Sequence, residues 1–384
     1  MTTPSLVQIL IRFLRLGLTA FGGPAMVPFI RKMSVEREGW LSERSFKLGM
    51  SIAQTIPGAT AMQIAAYVGL RARGGPGALV AYFAFGLPGF LLMVGLSALY
   101  FSAQDVPMIK AAFSGLQLLV VALIFHAAIN FARRYLDTLP AKLLACLAGV
   151  WLGLKGNPIL ALLTVCVLAI FIFRDEHGQL PPVKEEKMVG RPLFSACVFS
   201  ALFAAFLGVL YASEPELFDL GLLMAKIDCF AYGGGYVSVP IMLHEVVEVR
   251  GWLDNAQFMD GIALGQITPG PIVMTGAFVG YVVAGFAGAA IATIGVFTPS
   301  LIFMCAATEF GDKLIGSPLA RRALKGSLVS LVGLIAAVAA QFAINTDWSP
   351  VRVGVTLTAF LALRLGVDVL WVVLGGAAVC SVLL

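Results

Sequence analysis

Two basic residues lie in apolar stretches at matched distances from a glycine-rich interruption. Arg15 stands seven residues before Gly22 in Phe21-Gly22-Gly23-Pro24, and Lys226 stands seven before Gly233 in Tyr232-Gly233-Gly234-Gly235. Charges inside a membrane are costly and tend to face a substrate path or the bundle interior. A matched pair of cations suits a divalent anion. Each half then carries a second interruption, Gln54-Thr55-Ile56-Pro57-Gly58 or Gln266-Ile267-Thr268-Pro269-Gly270-Pro271. At such a break one half-helix ends and another begins. Helix N-termini offer free N–H groups and about half a positive charge, a ready anion site. The predicted chemistry is reversible oxyanion binding by Arg15, Lys226, Gln54, Gln266 and the backbone of Gly22, Gly23, Pro24, Pro57, Gly58, Gly233, Gly234, Gly235, Pro269 and Gly270.

The breaks belong to a longer repeat. Pro28, Glu36, Gly39-Trp40-Leu41, Phe46, Gly49 and Met62 recur 212 positions later as Pro240, Glu248, Gly251-Trp252-Leu253, Phe258, Gly261 and Met274. Matched, interrupted apolar segments in two halves point to a transporter's substrate site. The competing reading is four proline and glycine kinks that ease packing, with Arg15 snorkelling like Arg12 to the interface. Gln63 and Thr275 align between the halves, whereas His126, Asn130 and Glu309 have no counterpart. Asp228, two residues past Lys226, is on another helix face. The Gly-Trp-Leu landmark before the next apolar run reads as an interfacial anchor.

The elements that position these residues are membrane helices. Apolar residues make up 59% of the chain and charged residues 12%, about half the charged share of a soluble domain. Mean hydropathy is +0.93. The net charge of +5 comes without a clustered basic surface, which argues against a nucleic-acid partner. The uncharged Met1–Ser5 does not read as a cleavable signal. The six cysteines form no CxxC pair and read as small apolar residues, with neither disulfide framework nor metal site.

Spans of about 20 apolar residues are needed to cross a bilayer. The predicted fold is all-α and polytopic, with each half giving four long spans and a terminal pair of short ones. Residues 1–173 form the N-terminal repeat and 174–192 a polar cytoplasmic linker. A single connecting helix covers 193–211, and 212–384 form the C-terminal repeat. An even number of crossings per half plus one connector inverts the second repeat, for about thirteen crossings in all. Most arginines and lysines then fall in inside loops. The loop 31–47 is the exception, unless the first broken segment is re-entrant.

These motifs give a resemblance. Phe21-Gly22-Gly23-Pro24, Gln54-x-x-Pro57-Gly58, Tyr232-Gly233-Gly234-Gly235-Tyr236 and Gln266-x-x-Pro269-Gly270-Pro271 resemble those of the chromate ion transporter family in its two-domain form. The resemblance implies chromate efflux across the bacterial inner membrane, conferring chromate resistance, by two homologous domains of opposite topology. Sulfate, a tetrahedral dianion of similar size, is the expected competitor, and a carrier of sulfate or another oxyanion with the same architecture is the alternative. Protons are a plausible coupling ion, although no embedded carboxylate is repeated. A membrane chromate reductase needs a redox cofactor, and the sequence has no CxxC, axial-ligand histidine pair or dinucleotide fingerprint to hold one. The reading is of a transporter, not an enzyme, with no cofactor and a lipid bilayer as its surroundings.

Overall fold

The computed structural model describes residues 3–19, 26–102, 106–173, 191–233, 235–311 and 316–383, and their regular structure is helical throughout. In the first half, α1 (Leu6–Thr19) precedes α2 (Met26–Arg31), which runs into a π-helical turn, Lys32–Arg37. Then come α3 (Glu43–Thr55), α4 (Thr60–Ser102), α5 (Pro107–Tyr135), α6 (Leu139–Gly153) and α7 (Pro158–Ile172). Next comes α8 (Pro192–Ser213), the connector, and residues 174–190 of the linker lie outside the described residues. The second half repeats the order: α9 (Pro215–Cys229), α10 (Ser238–Met242) with its π-helical turn Leu243–Val249, α11 (Asn255–Ile267), α12 (Thr275–Glu309), α13 (Pro318–Ile344), α14 (Pro350–Arg364) and α15 (Val369–Leu383). Five helical segments are long and apolar enough to cross a membrane, and α6, α7 and α15 are shorter apolar helices.

Local chemistry sets the helix starts. Thr138, Asn157, Ser317 and Ser349 each accept a backbone N–H within the first turn of α6, α7, α13 and α14, with a proline just inside. That is the favoured N-cap arrangement.

The broken segments do not run straight. Asp219 on α9 meets Arg250 at 2.8 Å, and Lys226 meets Glu245 at 2.5 Å. Arg12 on α1 reaches Glu38 at 2.7 Å. Gly49 on α3 packs against the Tyr67 ring, and Gly261 on α11 against the Phe278 ring. A straight helix rises 1.5 Å per residue, so residues 17 to 31 apart meet only if the chain doubles back. The chain thus doubles back between residues 12 and 38, 49 and 67, 219 and 250, and 261 and 278. The expectation of about thirteen crossings counts all four as through-going spans, because apolar length alone cannot distinguish a hairpin from a crossing.

α4 and α12 each contain a sharp reversal. Arg73-Gly74 and Ala284-Gly285 leave helical geometry, with Gly74 at φ +64° and Gly285 at φ +56°. Glycine takes this left-handed backbone without steric cost. The limbs on either side then touch at Gly69–Gly77 and Gly280–Gly288.

The two halves exchange their ends. The α6–α7 pair of the first repeat packs on α13 of the second, and the α14–α15 pair packs on α5 of the first. Gly333 on α13 lies against the backbone of Ala145 and Gly149 on α6, and Gly115 on α5 lies against Cys380 on α15. Small residues that let helix backbones approach are how membrane helices associate. The connector α8 is peripheral, with Phe194, Leu202, Val209 and Tyr211 more than 60% exposed. Two of the six cysteines are fully buried, while Cys146 and Cys197 lie on the outer surface, and none is bridged.

Candidate functional site

The hairpin tips bring part of the predicted residue set together. Pro57 and Gly58 are buried at the tip between α3 and α4, and Gly58 donates its N–H to the Ala231 carbonyl at 2.9 Å. That contact joins the second break of one repeat to the first break of the other. Gly235 sits against Ile272 and Val273, just past the Pro269-Gly270 break, and Gly233 against Leu328 and Leu331 of α13. Pro269 presents its carbonyl to Gly89 on α4. Gly22, Gly23, Pro24 and Gly234 lie outside the described residues. Gln54 is exposed on the last turn of α3, and Gln266 is half-buried on the last turn of α11.

The two predicted cations differ in setting. Arg15 is exposed on α1, and no described residue pairs with it. Lys226 is 43% exposed and bonds Glu245, which also accepts from Arg250 at 2.6 Å; Arg250 in turn holds Asp219. Two cations and two carboxylates form one neutral network that ties α9 to the π-helical turn after α10. In the first repeat the corresponding turn is held by Arg31, which bonds Glu36 and Glu43. The hydrogen bond from Arg31 holds the Glu43 carboxyl below its usual range.

A fully buried carboxyl at the junction is one that sequence reasoning set aside. Asp228 is 0% exposed and accepts from the backbone N–H of Ser300 at 2.7 Å. The Ser300 hydroxyl lies within 2.7 Å of both carboxyl oxygens. Ser300 follows Pro299 in α12 and abuts Gly58, where an added Cβ would lie 2.0 Å from its Oγ. Gln63, also 0% exposed, donates to the Pro57 carbonyl, and its Oε1 has no protein partner. Tyr82 on α4 donates to the Phe297 carbonyl at 2.7 Å. The signal that could have found this cluster was an aspartate in an apolar run, which is functional by default.

A second buried carboxylate, Asp260 on α11, is 3% exposed. It accepts from Tyr100 and Gln117, both of the first repeat, at 3.0 Å each. The Tyr100 ring is enclosed by Phe101, Phe113 and Phe278. Replacing Asp260 with alanine strands the buried Tyr100 hydroxyl, at about 1–3 kcal/mol, and the half-buried Gln117 amide. The expected result is a lower detergent melting temperature for Asp260→Ala than for Asp260→Asn, whose amide oxygen still accepts a bond. Equal melting temperatures would show that the clamp carries no stability.

A cavity of about 740 Å³ lies elsewhere. It opens between α6, α13 and the second π-helical turn and is lined by Lys155, His244, Glu248, Asn255 and Gln341, with none of the break glycines. Glu248, one of the repeated landmarks, bonds His244 and Gln341 there. His126, unmatched between the repeats, bonds Asn130 at 2.7 Å. Trp40 is buried and Trp252 stacks under Arg250, so the first of the two landmark tryptophans packs inside rather than at an interface. Among the described residues no three His, Cys, Asp or Glu side chains converge as metal ligands.

Comparison with known proteins agrees with this duplicated architecture. The pattern of the family described as Chromate transporter matches residues 7–171 and again 218–381. The chain is 40% identical to an uncharacterized transporter of Methanocaldococcus jannaschii, over 97% of this chain and 92% of that protein. It is 32% identical to the chromate transport protein of Pseudomonas aeruginosa, over 86% and 79%, and 29% identical to that of Cupriavidus metallidurans, over 87% and 81%. No solved structure matches the chain. With both halves matched and relatives similar over most of their length, the chain belongs to the chromate transporter family.

Proposed function

We propose that this protein is a secondary transporter that exports chromate across the bacterial inner membrane and thereby confers chromate resistance. The observation that carries the reading is the junction of the hairpin tips, where Gly58 bonds Ala231 across the repeats. Irregular backbone at membrane depth persists only where protein encloses it or where it lines a cavity. Alternating access then consists of the two repeats separating and re-closing around that junction, with half-helix N–H groups, Gln54, Gln266, Arg15 and Lys226 serving the oxyanion. Similarity to named chromate transport proteins supports chromate as the substrate.

The repeats are read as inverted. Lys325 at the start of α13 bonds Asp137 beyond the end of α5, and Arg352 near the start of α14 reaches Ser114 near the start of α5. The equivalent helices α5 and α13 thus run in opposite directions. If the four hairpins are re-entrant, the loop 31–47 returns to the same face as Arg71, Arg73, Arg133, Arg134, Arg321 and Lys325, which satisfies the positive-inside rule.

The test is uptake of radiolabelled chromate into everted membrane vesicles, with and without excess sulfate. Energised uptake only partly inhibited by sulfate supports a chromate exporter. Sulfate flux without chromate flux reassigns the substrate within the same architecture, and absence of both with folded protein present overturns the oxyanion reading.

Lys226 is tested by Lys226→Met and by Lys226→Met/Glu245→Gln. Removing the ammonium leaves Glu245 bonded to Arg250, so the expected result is a folded, inserted protein without anion transport in both variants. Recovery of flux in the double variant would reduce Lys226 to a partner of Glu245.

A further inference from the structure

We propose that Asp228 is the proton-binding carboxyl of this carrier, loading one proton per transport cycle through its bond to Ser300; this rests on the transport reading above. Asp228 and Ser300 stand 211 positions after Gly17 and Gly89. In the first repeat Gly17 lets α1 pack directly on α4, meeting the Phe85 carbonyl and the Pro88 ring, while Gly89 meets the Pro269 carbonyl at the second repeat's break. At the equivalent positions the packing of α9 on α12 in the second repeat carries a carboxyl and a hydroxyl in place of hydrogen atoms. Close packing is met more cheaply by glycine, since a buried carboxyl must be desolvated and bonded. The fold therefore does not need this pair, and its presence in only one repeat points to a role outside packing.

The surroundings disfavour a permanent charge. No described lysine, arginine or histidine pairs with Asp228, and Lys226 is engaged by Glu245. The residue ends α9, where the helix dipole opposes a negative charge. The titratable groups facing it are Tyr82 from α4 and Cys229 on its own helix, with Cys305 of α12 beside Tyr82. From α8, Cys197 and Tyr211 face outward, and α10 contributes none. The Ser300 hydroxyl can either donate to a carboxylate or accept from a carboxylic acid, while its N–H bonds the other oxygen in both states. The proton thus enters or leaves Asp228 without a change of partners. Ser300 touches Gly58, and Ala231, three residues past Asp228, accepts the Gly58 N–H. The protonation state is therefore set where the two repeats meet.

The experiment uses the full-length protein in proteoliposomes, with the membrane potential clamped and a pH gradient as the only driving force. One coupled proton gives about tenfold chromate accumulation per pH unit. The expected result is that accumulation in wild type and its loss in Asp228→Asn, with chromate–chromate exchange retained in the variant. Either sense of gradient supports the assignment, distinguishing co-transport from exchange. Gradient-driven accumulation persisting in Asp228→Asn overturns it. A second readout does not depend on transport: the infrared carbonyl band of a buried carboxylic acid, compared between wild type and Asp228→Asn. A band lost in the variant, in a wild type that moves no chromate, would sink the transport reading and leave the proton site standing. A spectrum unchanged by the substitution overturns the proton site.

Discussion

Gly333→Leu is expected to abolish the assembled protein, a far greater loss of stability than that of Asp260→Ala. An added Cβ at Gly333 would lie 1.9 Å from the Ala145 carbonyl oxygen and 2.8 Å from the Gly149 backbone nitrogen. Both obstacles are helix backbone, which cannot rotate away as a flexible side chain does. Overpacking a core usually costs about 1–3 kcal/mol and sometimes more. Here α6 and α13 must part along the seam by which the first repeat's terminal pair grips the second repeat. Lipid offers no hydrophobic drive to push them back together, so close packing is most of what holds them. The check is the folded fraction by size-exclusion of detergent-solubilised protein, with Gly354→Leu as control, because nothing lies within 4 Å of Gly354. A monodisperse Gly333→Leu protein with wild-type melting would show that the exchanged ends contribute nothing to assembly.

The duplicated order of elements was legible because its landmarks are backbone requirements. Gly39 and Gly251 adopt φ of +61° and +62°, and Gly58 and Gly270 adopt +121° and +132°. Such positions select glycine wherever the fold recurs, and so they survive as a pattern in the chain. α3 and α11 accordingly begin and end 212 positions apart. The doubling back was not legible. A stretch of some 25 apolar residues satisfies the bilayer equally as a tilted span or as two half-helices joined at a tip. The surplus of charge at 31–47 was the one sequence feature that favoured the hairpin, and Arg31, Glu36, Glu38 and Glu43 are now seen consumed in ion pairs. The exchange of terminal helices left no trace either, because lipid-facing and partner-facing surfaces are both apolar.

The candidate site was legible in its backbone and less so in its charges. Symmetry between the halves selected Arg15 and Lys226, yet one has no described partner and the other is neutralised within a network. Asp228 was read only as lying on another helix face from Lys226, and it has no counterpart in the first repeat. A transporter built from two repeats needs a common framework from both halves, but a chemically distinct group need be present only once. Departure from the repeat at Gly17/Asp228 and Gly89/Ser300 was therefore as informative as agreement with it.

Gly58→Ala is expected to eliminate transport, and to do so far more completely than Gly270→Ala at the equivalent break. Both positions hold backbone conformations that side chains rarely adopt, which costs about 1–3 kcal/mol in either variant. Their surroundings differ. A Cβ on Gly58 would lie 2.0 Å from the Ser300 Oγ and 2.7 Å from the Gln63 Nε2. Ser300 is held by Asp228 and Gln63 by the Pro57 carbonyl, so neither can retreat without breaking a buried bond. A Cβ on Gly270 would meet only the Met274 methyl at 3.6 Å, ordinary contact with a flexible side chain. Backbone strain is therefore common to the pair, and the clash at the junction belongs to Gly58 alone. Gly39→Ala supplies the strain without any neighbour, having a φ of +61° and open space around it. The measurement is initial chromate flux per folded carrier for the three variants. The expected order is near-normal flux for Gly39→Ala, reduced flux for Gly270→Ala and none for Gly58→Ala. Equal losses at Gly58 and Gly270 would mean that strain alone governs the breaks and that the Ser300 contact plays no part in transport.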